Sequence, residues 1–311
     1  MSDSRIVILT GPTAVGKTDI AVEIADRLST DVISADSRQI YKYMDIGTAK
    51  PTSEQLKKIP HHLIDVVYPD DYYTVADYKR DAYATVDILF HRGKIPFVVG
   101  GTVLYIMTFL RGWPFDGIGS NALLRKELDR ELEEKGKLYL YEKLKELDPD
   151  TASRLHPEDT YRVKRALEVF ILSGKSIRQW QEGAQQVYKD ILCVGLTMDR
   201  KELYRRIEDR VDKMFDAGFI DEVKFLLDRG YSTELPSMKG IGYKEVCDYL
   251  NGKIDLHRTK SLIKQRTRNF AKRQFTWFRQ ITGIVWYNLS GRSRRDIVED
   301  MLSRIREFVG G

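Results

Sequence analysis

Gly11-Pro12-Thr13-Ala14-Val15-Gly16-Lys17-Thr18 has the spacing G-x-x-x-x-G-K-T, and it follows the apolar run Ile6-Val7-Ile8-Leu9. That spacing, between a strand and a helical pattern, suits a chain of phosphates. Glycines let backbone N–H groups turn toward phosphate oxygens, and the helix N-terminus adds the positive end of its dipole. Lys17 then reaches the outer phosphate, and Thr18 holds a magnesium ion. Nucleotide hydrolases of this kind also carry an acid at the end of an apolar strand, to support magnesium and water. Here the third strand ends Val98-Val99-Gly100-Gly101-Thr102, without one. The acid comes elsewhere, in Ser34-Ala35-Asp36-Ser37-Arg38-Gln39, directly after the second strand. Carboxyl ends of parallel strands converge on one crevice, so Asp36 and Thr102 are both expected to face the phosphate loop. Asp36 suits a general base on a second substrate or a magnesium partner; the plainer reading is a helix N-cap. For Thr102 the plainer reading is a turn residue that satisfies its own backbone.

The elements that must position these groups follow from periodicity. Residues 1 to about 112 alternate short apolar strands (Ile6–Leu9, Val32–Ser34, Phe97–Val99) with helical patterns, as parallel α/β units do. One helix is expected from Lys17 to about Leu28 and another from Asp77 to Phe90. From about Ala122 to Glu182 the pattern is helical throughout, after which Ile191–Met198 returns as a strand. The expected fold is α/β, a P-loop nucleotide-kinase-like core with a parallel sheet and an inserted all-helical subdomain. Its expected boundaries are 1–115 and 190–311 for the core and 116–189 for the insertion.

The chain has 311 residues and 42% hydrophobic content, enough for a sizeable core and too much for a disordered chain. No run approaches the length of a membrane span, and no secretory signal is present. Cys193 and Cys247 are far apart and in no metal-ligand spacing, so a reduced, cytoplasmic compartment fits. His61-His62 lacks partners at ligand spacing and reads as structural.

Net charge is only +5, but its distribution is uneven: Arg258 to Arg279 contains eight Lys or Arg and no acid. Lys260, Lys264, Arg268 and Lys272 recur every four residues as a cationic stripe, and Ile263, Phe270 and Trp277 every seven as an apolar one. Such a helix suits a nucleic-acid backbone or a highly phosphorylated small ligand; the plainer reading is a solvated face. Phe275, Trp277 and Phe278 read as core. Tyr161-Arg162-Val163-Lys164-Arg165 adds a weaker basic cluster at the start of a helix in the insertion.

Taken in order, these segments resemble the tRNA dimethylallyltransferase family across nearly the whole chain. They are GPTAVGKT at 11–18, ISADSRQIY at 33–41, DIGTAKP at 45–51, HHLIDV at 61–66, VVGGTVLY at 98–105, RVKRALE at 162–168, GIGYKE at 240–245 and TRNFAKRQFTWFR at 267–279. The resemblance implies transfer of a dimethylallyl group from dimethylallyl pyrophosphate to N6 of adenosine 37, beside the anticodon of tRNA. It places the donor's pyrophosphate, with Mg2+, in the P-loop, which fits the missing acid after the third strand. It implies a base role for Asp36 and a place near the reacting centre for Thr102. The implied tRNA contacts are Asp36, Ser37, Arg38, Gln39, Thr102, Arg125, Tyr161, Arg162, Val163, Lys164, Arg165, Lys239, Gly240, Ile241, Gly242, Tyr243 and Lys244. Lys264, Arg268 and Lys272 are expected to meet tRNA phosphates. A monomer suffices, since one subunit can supply the whole channel. The alternatives are a P-loop small-molecule kinase, a prenyltransferase acting on free AMP or ATP, and a non-catalytic nucleotide-gated RNA-binding module.

Overall fold

The structure, a computed structural model, describes residues 5–113, 121–183 and 185–310. It divides into two compact units, one of residues 1–106 with 188–311 and one of residues 107–187. In chain order the elements begin β1 (Ile6–Thr10), α1 (Lys17–Leu28), β2 (Val32–Ala35), α2 (Ser53–Lys58), β3 (His61–His62), α3 (Val75–His91), β4 (Phe97–Gly100) and α4 (Val103–Arg111). Four helices follow: α5 (Ala122–Leu147), α6 (Pro149–Ala152), α7 (Thr160–Ser173) and α8 (Ile177–Glu182). The chain then forms β5 (Ile191–Thr197), α9 (Arg200–Asp216), α10 (Phe219–Asp228), α11 (Tyr243–Leu250), α12 (Leu256–Phe278), β6 (Val285–Asn288) and α13 (Arg294–Gly310).

All six strands are parallel and lie in the order β3-β2-β4-β1-β5-β6. Leu9 of β1 is level with Val99 of β4 and Val194 of β5, which fixes the register of the central strands. β1, β2 and β4 are buried along their whole length, as strands covered on both faces must be, and this is why they read as continuous apolar runs. The expected strands are all present. β3 is an addition: its two histidines carry no apolar pattern, and they join the sheet by pairing with Val32 and Ile33.

α1 buries Ile20, Ala21, Val22, Ile24 and Ala25 beneath the sheet. A second cluster gathers α10 and α11 around Phe219, Val223, Leu226, Tyr243 and Val246. The helical unit has its own small core, in which Leu128, Leu140 and Leu144 of α5 pack with Val163, Ala166 and Leu167 of α7. α5 is broken by Gly136, whose φ of 83° no β-carbon residue adopts cheaply.

Candidate active site

Three loops leave the carboxyl ends of β1, β2 and β4, which are neighbours in the sheet. They carry the phosphate loop, Asp36 and Thr102, so the sheet brings together what the sequence separates.

The phosphate loop is shaped by its glycines. Gly11 has φ of 148°, and a β-carbon there would stand 2.7 Å from the Leu196 carbonyl. Gly16 has φ of 103° and caps α1 without a side-chain hydrogen bond. The first amides of α1 therefore have no internal capping partner and remain available to an anion. Lys17 Nζ donates to the carbonyls of Gly11 (3.0 Å) and Pro12 (2.8 Å), which folds the side chain back over its own loop. Burial holds its ammonium down from 10.5 to about 8, the Asp36 charge raises it, and Arg210 lowers it.

Asp36 uses one carboxylate oxygen to order its own turn, accepting the N–H of Arg38 at 2.8 Å and of Gln39 at 3.4 Å. It caps a turn rather than a helix. Thr102 fixes the same turn: its hydroxyl accepts the Ser37 N–H at 2.9 Å and donates to Ser37 Oγ at 3.3 Å. A small cavity of about 40 Å³ is lined by Lys17, Thr18, Ser34, Asp36, Gln39 and His61. His61 Nδ1–H donates to the Ile59 carbonyl (2.8 Å), and burial holds the ring below its usual pKa; His62 pairs with Asp31 at 3.0 Å. No cluster of three or more His, Cys, Asp or Glu suited to a metal occurs among the described residues. A hard cation that keeps its waters and takes most of its oxygens from a substrate's phosphates needs no such cluster. The Thr18 hydroxyl and Asp36 carboxylate at one small cavity fit magnesium in that manner.

Three side chains at this site escaped the sequence reading. Arg210 of α9 donates to the Thr13 hydroxyl at 3.4 Å, and Arg206 to the Val15 carbonyl at 3.5 Å. Burial pulls the Arg210 pKa down while the Asp36 charge opposes it. Gln274 of α12 bonds both the phosphate loop and the loop after β4. The signal for the arginines was a polar i, i+4 pair beside the apolar Leu203, Ile207, Val211 stripe. For Gln274 it was an amide on a buried helical face. Neither spacing names the loop it meets. A larger groove of about 740 Å³ opens beside Arg210, between α9 and the segment from Asp45 to Leu56.

The expected tRNA contacts divide. Arg38 is exposed, donates to the Pro236 carbonyl at 3.0 Å, and lies against Gly240, so the Ser37–Gln39 turn and the Lys239–Lys244 loop meet. Lys239 pairs with Glu234 at 2.8 Å, and Lys244 is exposed. Gln39 turns inward, donating to the Ala49 carbonyl at 3.1 Å. In the helical unit Tyr161 is 78% exposed. Arg162 pairs loosely with Asp159 (3.5 Å), Lys164 with Asp129, and both Arg125 (2.7 Å) and Arg165 (2.6 Å) with the buried Glu168.

Other expected contacts are placed against protein partners. Tyr243 is 2% exposed, and its hydroxyl donates to Glu222 at 2.7 Å. Glu222 in turn accepts the amides of Asp45, Ile46 and Gly47, so Tyr243 acts through the DIGTAKP segment. Val163 is 1% exposed, because on α7 it points into the helical core. The stripe Lys264, Arg268, Lys272 is not an open cationic face. Lys264 pairs with Asp212 and Arg268 with Glu208, each at 2.6 Å, and only Lys272 of the three is exposed. The acids missing from α12 are supplied by α9. Phe270 (38%) and Trp277 (50%) are exposed, whereas the buried face of α12 runs through Thr259, Ile263, Ala271, Gln274 and Phe278. Trp277 is therefore not core.

Comparison with known proteins identifies the family. The IPP transferase family model matches residues 39–281, and the isopentenyl transferase model matches residues 4–71. A tRNA dimethylallyltransferase of Thermotoga petrophila is 48% identical over 303 residues, covering 97% of this chain and 98% of the relative. Another, from Alkaliphilus oremlandii, is 48% identical over 308 residues, covering 98% and 97%. The solved full-length tRNA isopentenylpyrophosphate transferase of Bacillus halodurans matches with a TM-score of 0.74 at 38% identity, over 99% of this chain and 97% of that one. A eukaryotic dimethylallyltransferase solved while acting on tRNA matches with a TM-score of 0.79 at 28% identity, over 96% and 80%. A family model over most of the chain and relatives matched end to end agree: the chain belongs to the IPP transferase family of tRNA-modifying prenyltransferases.

Proposed function

We propose that this enzyme transfers a dimethylallyl group from dimethylallyl pyrophosphate to N6 of adenosine 37 of tRNA, releasing pyrophosphate. The observation that carries the reading is that Thr18 of the phosphate loop and Asp36 line one cavity. A leaving-group site and a proton acceptor then stand side by side. The bond between the allylic carbon and the pyrophosphate oxygen breaks as the bond from N6 to that carbon forms, and the N6 proton passes to Asp36. Lys17, Arg210 and the uncapped amides of α1 neutralise the departing pyrophosphate, where charge builds up. Magnesium, held by Thr18 and the pyrophosphate oxygens with Asp36 nearby, would supply further charge neutralisation. The adenine amine is a weak nucleophile because its lone pair is delocalised, so a positioned carboxylate matters. Thr102 keeps Asp36 in place by holding the Ser37 amide. The groove beside Arg210 adjoins this site; Arg206, Arg210 and Lys213 border it, as do Asp45, Asp65 and Asp209. The base must leave its stack to arrive; in the core unit Arg38, Lys239 and Lys244 are exposed side chains suited to RNA, and in the helical unit Tyr161 and Arg162 are. Phosphate contacts position and base contacts specify. No helix among the described residues is long and apolar enough to cross a membrane, which is compatible with the cytoplasm, where unmodified tRNA is found.

The test is transfer of labelled dimethylallyl from its pyrophosphate, with magnesium, to unmodified tRNA, AMP and ATP offered in parallel. Label on tRNA alone, at the adenosine beside the anticodon, is the expected result. Label on a free nucleotide assigns the chain to nucleotide prenylation instead. No label, with phosphate transfer from ATP, restores the kinase reading, and binding without either turnover identifies an RNA-binding module.

A further inference from the structure

α12 hydrogen-bonds the phosphate loop through Gln274. Gln274 is 4% exposed, its Oε1 accepts the Thr13 N–H at 2.8 Å, and its Nε2 donates to the Gly101 carbonyl at 2.8 Å. The two ends of one amide thus join loops that follow different strands, β1 and β4. A carboxylate in this place offers acceptors only, an ammonium donors only, and a thioether neither in strength; an amide has one of each in a single plane. The fit is close. A β-carbon on Gly101 would stand 2.6 Å from Gln274 Nε2 and 3.4 Å from Lys17 Nζ, so Gly101 leaves room for both groups. Arg210 approaches Thr13 from α9, and α9 and α12 are tied by the Glu208–Arg268 and Asp212–Lys264 pairs. Both helices therefore hold the same loop residue.

We propose that Gln274 is a positioning residue for the diphosphate. It fixes the spacing between the phosphate loop and the Gly101–Thr102 loop. Lys17, which grips the leaving group, and Thr102, which orders the Asp36 turn, thereby keep one relative position. Without the amide, Thr13 N–H and Gly101 C=O lose their partners in a buried place, and both loops are free to separate. This rests on the reading that a diphosphate occupies the phosphate loop.

The experiment uses the full chain with magnesium pyrophosphate as the probe, its dissociation constant measured by calorimetry and by competition with the prenyl donor. Gln274→Met keeps the bulk and removes both bonds. It is expected to raise the pyrophosphate constant and the donor KM about tenfold, leaving the KM for tRNA unchanged. Gln274→Leu removes the same two bonds with a different shape and is expected to give the same signature, so a poorly folding Gln274→Met leaves a second variant to read. A merely structural role lowers the active fraction, and with it the apparent kcat, without moving either constant. Unchanged pyrophosphate constants in both variants, with normal binding by the wild type, overturn the inference alone. Failure of the wild-type chain to bind pyrophosphate overturns the diphosphate reading and the inference with it.

Discussion

Thr102 and Ser37 lie 65 residues apart, yet the Thr102 hydroxyl accepts the Ser37 amide at 2.9 Å. The bond crosses from the loop after β4 to the loop after β2, where Thr102 N–H also donates to the Ala35 carbonyl at 3.1 Å. Asp36 stands between the two anchored residues. Its carboxylate direction is therefore set by β4 as much as by its own strand. Replacing Thr102 with valine, which keeps the shape and removes the hydroxyl, is expected to lower kcat about tenfold through the unpaired Ser37 amide, whereas serine keeps most activity. Steady-state kinetics of the two variants checks this; equal activity for valine and serine removes Thr102 from the mechanism.

Asp36 has a turn-ordering oxygen as well as a chemical role, so alanine disturbs both. Asparagine separates them, since its amide oxygen still accepts the Arg38 and Gln39 amides but takes no proton. Asp36→Asn is expected to bind donor normally and to turn over roughly 100-fold more slowly or worse. Single-turnover transfer at saturating donor is the measurement, and a wild-type rate would mean another base.

Lys17 gives the pH dependence. In the free enzyme its ammonium loses the proton near pH 8, so the donor KM should rise as pH passes that value. Stability from this group runs the other way. Between about 8 and 10.5 the unfolded lysine holds a proton the folded one has lost, so ligand-free stability from this residue rises with pH there. Donor KM and Tm followed from about pH 7 to about pH 10 test both signs, and Lys17→Met should abolish the KM step.

Arg210 reaches the phosphate loop from a helix far along the chain. Arg210→Gln is expected to raise the donor KM roughly 10- to 100-fold, the loss of a charge-assisted contact to phosphate, with tRNA affinity unchanged. A donor KM equal to the wild type's would place Arg210 outside the pyrophosphate site.

The α12 cations separate by partner. Lys272→Ala should reduce the salt slope of tRNA binding by about one. Lys264→Ala and Arg268→Ala should leave that slope nearly unchanged and lower the Tm slightly, since each pair is partly exposed and worth about 0–1 kcal/mol. Equal changes in slope for all three would mean that the pairs with Asp212 and Glu208 open when RNA binds.

The phosphate loop, the span of α1 and the central strands were legible because each is a local matter. Glycine torsions, a 3.6-residue period and a buried apolar run are written in consecutive residues. Asp36 and Thr102 were legible one step further on, since strand ends in a parallel sheet share an edge. α12 marks the limit. Its composition showed many cations and no acid, but a helix face does not state what opposes it, and α9 brought Asp212 and Glu208 to two of those cations. The inward turn of Tyr243 and Val163 was not legible for the same reason: each lies in a motif quoted for its family resemblance, and the motif does not state which way its side chains face.

By itself the sequence determined that a phosphate-binding loop opens a parallel α/β core, that an aspartate and a threonine follow neighbouring strands, and that the chain is kin to tRNA prenyltransferases. The tertiary structure alone decided which residues close the site. Arg210, Gln274 and the ion pairs between α9 and α12 meet their partners across long separations in the chain. Periodicity fixes which way a side chain faces along its own element, and only the packing of elements fixes what it meets.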